Sequence, residues 1–225
     1  MFLGHYGLAL AAKRVAPRES LGATVTASQW ADLLWPIFLI VGWEQVRIVP
    51  GLMAASSLEF VHYPITHSLL AVVGWAILLG TVSFFFTRRA TGSLVLGALV
   101  VSHWLLDLPV HEPDLPLWPG SDILLGGGLW NSLPLTLILE FGIFLGGLAL
   151  YTRATTPRDG AGRWGLWTMI LVLSLFYLSS FAAPPPSETA LAYGGLTLWV
   201  FVPWAYWVDK HRVVRESKRV ENQAE

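Results

Sequence analysis

Histidine and aspartate recur in this chain at a spacing that could hold a cation. In Ser102-His103-Trp104-Leu105-Leu106-Asp107 the imidazole and the carboxylate are four residues apart, which on a helix stacks them on one face. A second group, in His62-Tyr63-Pro64-Ile65-Thr66-His67-Ser68, opens the preceding apolar run. Imidazole nitrogen and carboxylate oxygen are ligand types that zinc, manganese and iron accept. The chain has no cysteine, which excludes a thiolate site and a disulfide framework alike. A single His-x-x-x-Asp is often an ordinary hydrogen-bonded pair. Four ionisable groups at the ends of two adjacent apolar segments weigh more, because such groups are costly beside a bilayer and default to a functional role. The two segments are expected to meet with a divalent metal between them.

The elements that must bring them together are membrane helices. Of 225 residues, 54% are hydrophobic and 13% charged, against about 25% charged in a soluble domain; the mean hydropathy is +0.57. Residues 68–86, 165–183 and 190–208 hold no charged residue at all, and each is long enough to cross a hydrocarbon core of about 30 Å. The expected fold is all-α, a polytopic membrane helical bundle. About six spanning helices are expected, near 21–46, 68–86, 93–108, 129–151, 164–182 and 189–208. A short partial or re-entrant helix over 1–12 precedes them, and its order of apolar then basic residues does not fit a cleavable signal. Residues 1–208 form one domain, followed by a basic cytoplasmic tail over 209–225. Pro36 lies near the middle of 21–46 and predicts a kink there. The 12 Trp, many near segment ends, fit interfacial belts.

Basic residues set the orientation. Lys13, Arg14 and Arg18, then Arg88 and Arg89, then Arg153, Arg158 and Arg163, and the tail with Lys210, Arg212, Arg215, Lys218 and Arg219 share one side if helices alternate. That side is expected to be the cytoplasm. His62, His67, Asp107, His111 and Asp114 collect on the other. The same alternation directs His5 and Asp32 toward that region, although Asp32 lies only about 18 Å along a helix counted from Ser20 at about 1.5 Å per residue. His111 and Asp114 either orient ligand imidazoles or belong to a solvated loop. Glu140 either faces the bundle interior as a polar or proton-handling group, or pairs with Asn131 or a Trp indole as helix glue.

These residues resemble a known family, the bacterial membrane-bound metal-dependent hydrolases of the inner membrane, the LexA-regulated group. The elements that carry the resemblance are Gly4-His5-Tyr6-Gly7, Ala31-Asp32-Leu33-Leu34-Trp35-Pro36, His62-Tyr63-Pro64-Ile65-Thr66-His67-Ser68-Leu69 and the His103-x-x-x-Asp107 segment, within about residues 1–125. Two departures stand out. Ala31-Asp32-Leu33-Leu34 replaces the family's Pro-Asp-x-Asp and lacks its second carboxylate; His62-Tyr63-Pro64 replaces its His-Arg-Gly and lacks its basic residue.

The resemblance implies a metal set of His5, Asp32, His62, His67, His103 and Asp107, with Zn2+ the expected ion and Mn2+ or Fe2+ as alternatives. Zinc acidifies a bound water to a pKa near 7, and Asp32 or Asp107, if free of the metal, would act as general base. The expected substrate is an ester or phosphoester of a lipid or lipid-linked compound at the outer face, with membrane lipids as the partners. The chain has no Gly-x-Ser-x-Gly, no phosphate-binding loop and no basic groove for nucleic acid. The rival reading is a metal-ion or proton-coupled transporter using the same cluster, with Glu140 as a relay. It would need polar groups continuing toward the cytoplasmic side.

Overall fold

The computed structural model describes residues 1–215. Helix α1 (Leu3–Ala12) is too short to cross a bilayer and is almost wholly enclosed by the rest of the bundle, with Leu3, Tyr6, Ala9 and Leu10 buried. Helices α2 (Leu21–Ser28) and α3 (Trp30–Ile40) follow end to end. The Ser20 hydroxyl starts α2 by accepting from the Ala23 amide, satisfying one of the first-turn donors that have no helical partner. The antiparallel ribbon of β1 (Gln45–Ile48) and β2 (Leu58–His62) leads to the single turn α4 (Pro64–His67). Ser68 ends that turn and caps α5 (Leu69–Thr87), which pairs with α6 (Ala90–Asp107).

A loop carrying the short ribbon of β3 (Leu115–Pro116) and β4 (Leu124–Leu125) leads to α7 (Leu133–Ala154). Strand β5 (Thr155–Pro157) and helix α8 (Gly160–Ser179) come next. The last crossing, Glu188–Lys210, is built from α9 (Glu188–Gly195), a 3₁₀ stretch Leu196–Val200 and α10 (Phe201–Lys210). Strand β6 (Arg212–Val214) then pairs antiparallel with β5. The result is an all-α polytopic membrane bundle trimmed with short ribbons. Among the described residues, five helical segments are long and apolar enough to cross a membrane.

The sixth expected crossing, 21–46, differs in a way that matters for the site. It breaks at Gln29, between α2 and α3, while Pro36 sits inside α3. The break frees the Ser28 carbonyl from helical bonding, and that oxygen is used by a side chain of α6. The expected tail is also partly structured: Asp209 and Lys210 complete α10, and residues 212–214 form β6. Lys218 and Arg219 lie outside the described residues.

Helix α1 packs against α7 so closely that a Cβ on Gly147 would lie 1.9 Å from the Gly7 carbonyl oxygen. Only glycine allows the two backbones to touch there. At one end of the bundle the basic groups gather. Lys13 pairs with Asp209, Arg89 reaches Glu19 and the Arg18 carbonyl, and Arg212 binds Thr155. The histidines and aspartates singled out above lie toward the opposite end.

Candidate metal centre

The last turn of α6 carries His103 and Asp107, both buried. The Nδ1–H of His103 donates to the Ser28 carbonyl at 2.8 Å, so Nε2 keeps its lone pair and faces inward. His67 is fixed by a longer chain of contacts. The Glu44 carboxylate accepts from the Ile65 and Thr66 amides through Oε1, each at 2.8 Å, and from the Thr66 hydroxyl through Oε2 at 2.7 Å. With its proton committed to Glu44, the Thr66 oxygen accepts from Nδ1–H of His67 at 2.6 Å. His67 therefore also presents an Nε2 lone pair.

Both lone pairs point at carboxylate oxygens. His103 Nε2 is 3.2 Å from Asp107 Oδ2 and 3.6 Å from Asp32 Oδ1. His67 Nε2 is 3.6 Å from Asp32 Oδ1 and 4.0 Å from Asp107 Oδ2. With both imidazoles neutral these are four acceptors, and neither His103 Nε2 nor Asp107 Oδ2 has a hydrogen-bond partner. Acceptors do not gather in a buried pocket unless a donor or a cation joins them. Ligands at about 2.0–2.2 Å from a tetrahedral zinc lie roughly 3.3–3.6 Å apart, close to the 3.2–4.0 Å seen here. The donor set and the spacing fit a divalent metal.

His5 stands on the far side of Asp107. Its Nε2 is 3.1 Å from Oδ1, its ring stacks on His103 at 3.7 Å and 9°, and the α-amino group of Met1 binds the same Oδ1. His5 thereby turns Oδ2 toward the other ligand atoms. His5, His103 and Asp107 form one close group, and Asp32, His67 and His103 another, with atoms in each group within 4.8 Å of one another.

His62 is the exception among the six expected ligands. It ends β2 opposite Gln45 and is exposed. Pro64 begins a separate helical turn at α4, so His62 and His67 never share a helix face. Gln29 supplies the break that brings Asp32 into the first turn of α3 and so to the histidines.

His111 is no part of a solvated loop: it is 2% exposed. Its Nδ1–H donates to Asp114 Oδ1 at 3.0 Å, and the Tyr63 hydroxyl donates to the same oxygen at 2.6 Å. Burial pushes the His111 imidazole below its ordinary pKa, with Asp114 acting in the opposite direction, so the ring is neutral and Nε2 is left as an acceptor. Nor does the pair orient a ligand imidazole: the His111 ring lies 6.4 Å from that of His67, against Trp130 at 4.2 Å. Glu140 faces inward and is fully buried. It pairs with neither Asn131, which donates to Glu112, nor an indole. Its two oxygens accept from the Phe2 and Gly4 amides at 2.8 Å each, closing the start of α1. Glu140 thus holds in place the helix that delivers His5.

A cavity of about 420 Å³ opens onto the cluster. Asp32, His67, Asp107, His111 and Glu140 line its polar side, while Phe176 and Tyr177 of α8 and the Pro184–Pro186 loop form the facing wall. Asp32 is the ligand candidate most open to it, its side chain 20% exposed against 4% or less for the other three. Glu44 and Thr66, which fix His67, and the wall from α8 were not singled out by sequence. The only written signal for the first two was a carboxylate in an otherwise apolar stretch and a hydroxyl beside a histidine.

A family model described as YdjM inner membrane protein matches residues 2–184. That span includes the whole cluster, Glu140 and α8, well beyond the stretch of about 1–125 that carries the sequence motifs. No curated protein and no solved structure matches the chain.

Proposed function

The chain belongs to the YdjM inner membrane protein family and is a multi-pass protein of that membrane, and on this premise we propose that it is a metal-dependent hydrolase of a lipid or lipid-linked ester or phosphoester. The carrying observation is the set of four converging acceptor atoms at the floor of a cavity with an apolar wall. His67, His103 and Asp107 would hold the ion, with zinc favoured by two nitrogens and a carboxylate. When bound, the ion supplies a Lewis acid that acidifies water and polarises the scissile group.

The remaining work falls to residues of the chain. Asp32, the carboxylate most open to the cavity, takes a proton from water or serves as a fourth ligand between turnovers. His5 holds Asp107 by its outer oxygen, and Thr66 with Glu44 holds His67, so neither ligand turns away. The wall from Phe176 to the Pro184–Pro186 loop excludes water and accepts the apolar part of the substrate. Transport through the same cluster is disfavoured by what lies between it and the basic end: Leu10, Val25, Leu96 and Leu99 are all buried there, and apolar packing offers a cation no path.

The decisive comparison is wild type against Asp32→Asn, with metal content and turnover on ester and phosphodiester lipids read together. The expected outcome is full metal content with turnover reduced about 10²–10⁴-fold, the range of a lost general base. Turnover that survives both this change and a chelator would sink the proposal. Sidedness belongs to the same reading: the gathered basic groups are taken as cytoplasmic, which puts the cavity at the outer face. Reporter fusions in the Pro184–Pro186 loop and at the C-terminus should give opposite signals; equal signals would overturn it.

A further inference from the structure

Helices α5 and α6 meet along small residues. A Cβ on Gly80 would lie 3.2 Å from the Ser93 carbonyl oxygen, and one on Gly97 would lie 3.2 Å from that of Ala76. Such residues let two membrane helices approach closely. Larger side chains stand to either side, with Ile77 and Phe85 of α5 and Leu94 of α6 exposed. Between them runs a groove of about 630 Å³ on the outside of the bundle. It shares no lining residue with the cavity at the metal centre.

Its length and its charged end point to the occupant. The groove starts at Phe85 and Ala90, beside the connection between the helices, and reaches Val73 and Val101. From Phe85 back to Val73 a helix spans about 18 Å at about 1.5 Å per residue. One leaflet of a hydrocarbon core of about 30 Å is roughly 15 Å deep, so the groove has the reach of one acyl chain. Arg88 and Arg89 stand at its mouth, both exposed. Arg88 closes α5 with its guanidinium 5.7 Å over the Phe85 ring. Arg89 donates to the Arg18 carbonyl at 3.2 Å and lies 3.8 Å from Glu19. Residues 60–106, which build both helices and their connection, contain no carboxylate. Of the acids at this end, Glu19 is met by Arg89, Asp209 by Lys13 and Asp159 by His211, which leaves the Arg88 charge in excess. Basic sites between spanning helices draw anionic head groups.

We propose that an anionic phospholipid of the leaflet on the basic side is seated here, one acyl chain between α5 and α6 and its phosphate against Arg88 and Arg89. The site depends on neither the metal nor the hydrolase reading. Native mass spectrometry of the full chain in detergent, titrated with dioleoyl phosphatidylglycerol or dioleoyl phosphatidylcholine, reads it directly. Phosphatidylglycerol should bind about 10–30-fold tighter, the range that two basic residues at a membrane surface supply. Arg88→Gln combined with Arg89→Gln should erase that preference and leave phosphatidylcholine affinity as it was. Arg153→Gln combined with Arg158→Gln, on the connection after α7, should leave the preference intact. Ala98→Phe and Val73→Trp fill the groove from opposite helices at exposed positions, and each should weaken both lipids alike.

Equal affinities for the two lipids would overturn the head-group assignment. So would a preference lost equally when Arg153 and Arg158 are changed, because the attraction would then belong to the whole basic face. Binding unaltered by both groove-filling variants would remove the groove as the seat of the chain. All the substituted residues are exposed, so melting temperatures should stay at the wild-type value and lost binding can be told from lost folding.

Discussion

At the basic end of the bundle, Lys13 donates to the Glu19 carbonyl at 2.8 Å and to Asp209 at 2.9 Å. Arg212 donates to the Thr155 hydroxyl and the Gly162 carbonyl and lies over the Tyr151 ring. His211 donates to Asp159 at 2.7 Å. At the cavity end, buried charged groups meet with acceptor against acceptor, and His103 Nε2 and Asp107 Oδ2 have no hydrogen-bond partner. The first arrangement matches donors to acceptors and serves to join α1, α7, α8 and α10. The second has the groups that could hold a cation. Burial of charged groups is common to both ends, and one Glu19 carboxylate oxygen at the basic end also lacks a hydrogen-bond partner; what sets the cavity end apart is that its ligand-type atoms converge within 4.8 Å of one another.

That contrast breaks if the two ends respond alike. The largest effect is expected from Asp107→Asn, which should lower metal content from about one ion per chain to below about a tenth, because a neutral amide is a poor ligand and the remaining set is incomplete. Asp209→Asn at the other end should leave metal content unchanged by the same mass-spectrometric assay. Undiminished metal in Asp107→Asn would mean that the ion binds elsewhere.

A smaller effect is expected one shell out. Thr66→Val keeps the shape of the side chain and removes the oxygen that accepts from His67, and Glu44→Gln disturbs the same hydroxyl. Each should weaken metal affinity about 10–100-fold, as losses of ligand-orienting partners do, measured by competition with a chromogenic chelator. Affinity unchanged in both would reduce Glu44 to a cap on α4.

Lys13→Met tests the opposite arm. It removes the ammonium partner of the half-buried Asp209 and should cost about 1–3 kcal/mol, read as a lower melting temperature, with metal affinity as in wild type. His62→Ala should do least: an exposed strand end away from the site falls within about 0.5 kcal/mol in stability, with no change in metal content. A loss of metal there would put His62 back in the ligand set.

How far the site could be read in advance depended on whether its contacts were local. His103 and Asp107 share one helix face, so spacing alone joined them. His67 stood out as an ionisable group where a span begins. His5 and Asp32 were reachable only through the alternation of helices, and the position of Asp32 turned on a break that composition placed at Pro36. The break occurs at Gln29 instead, where the freed Ser28 carbonyl gains His103 as a donor, a contact spanning 75 residues that no window of sequence contains. His62 was misread because the resemblance carried it over together with His67 as one element, whereas strand changes to helix between them at Pro64. Glu44 acts on Thr66 from 22 residues away, and α8 contributes aromatic side chains whose types are the same ones that face lipid elsewhere. Membrane helices were legible because their signal is additive along the chain; a cavity wall is not, since it depends on which neighbour each face meets.

The clasp between Glu140 and the start of α1 sets a timetable for biogenesis. The acceptor that seats α1 is encoded 136 residues after Gly4, so at roughly 5–20 residues per second of synthesis it arrives on the order of ten seconds later. Until α7 enters the bilayer, α1 has neither its cap nor the glycine contact at Gly147, and as a ten-residue helix it cannot cross the membrane unaided. His5 and its hold on Asp107 are thus withheld through most of translation. A nascent chain carrying His67, His103 and Asp107 already in the membrane would remain a poor scavenger of stray ions, and the centre would mature only once the seventh helix had locked the first in place.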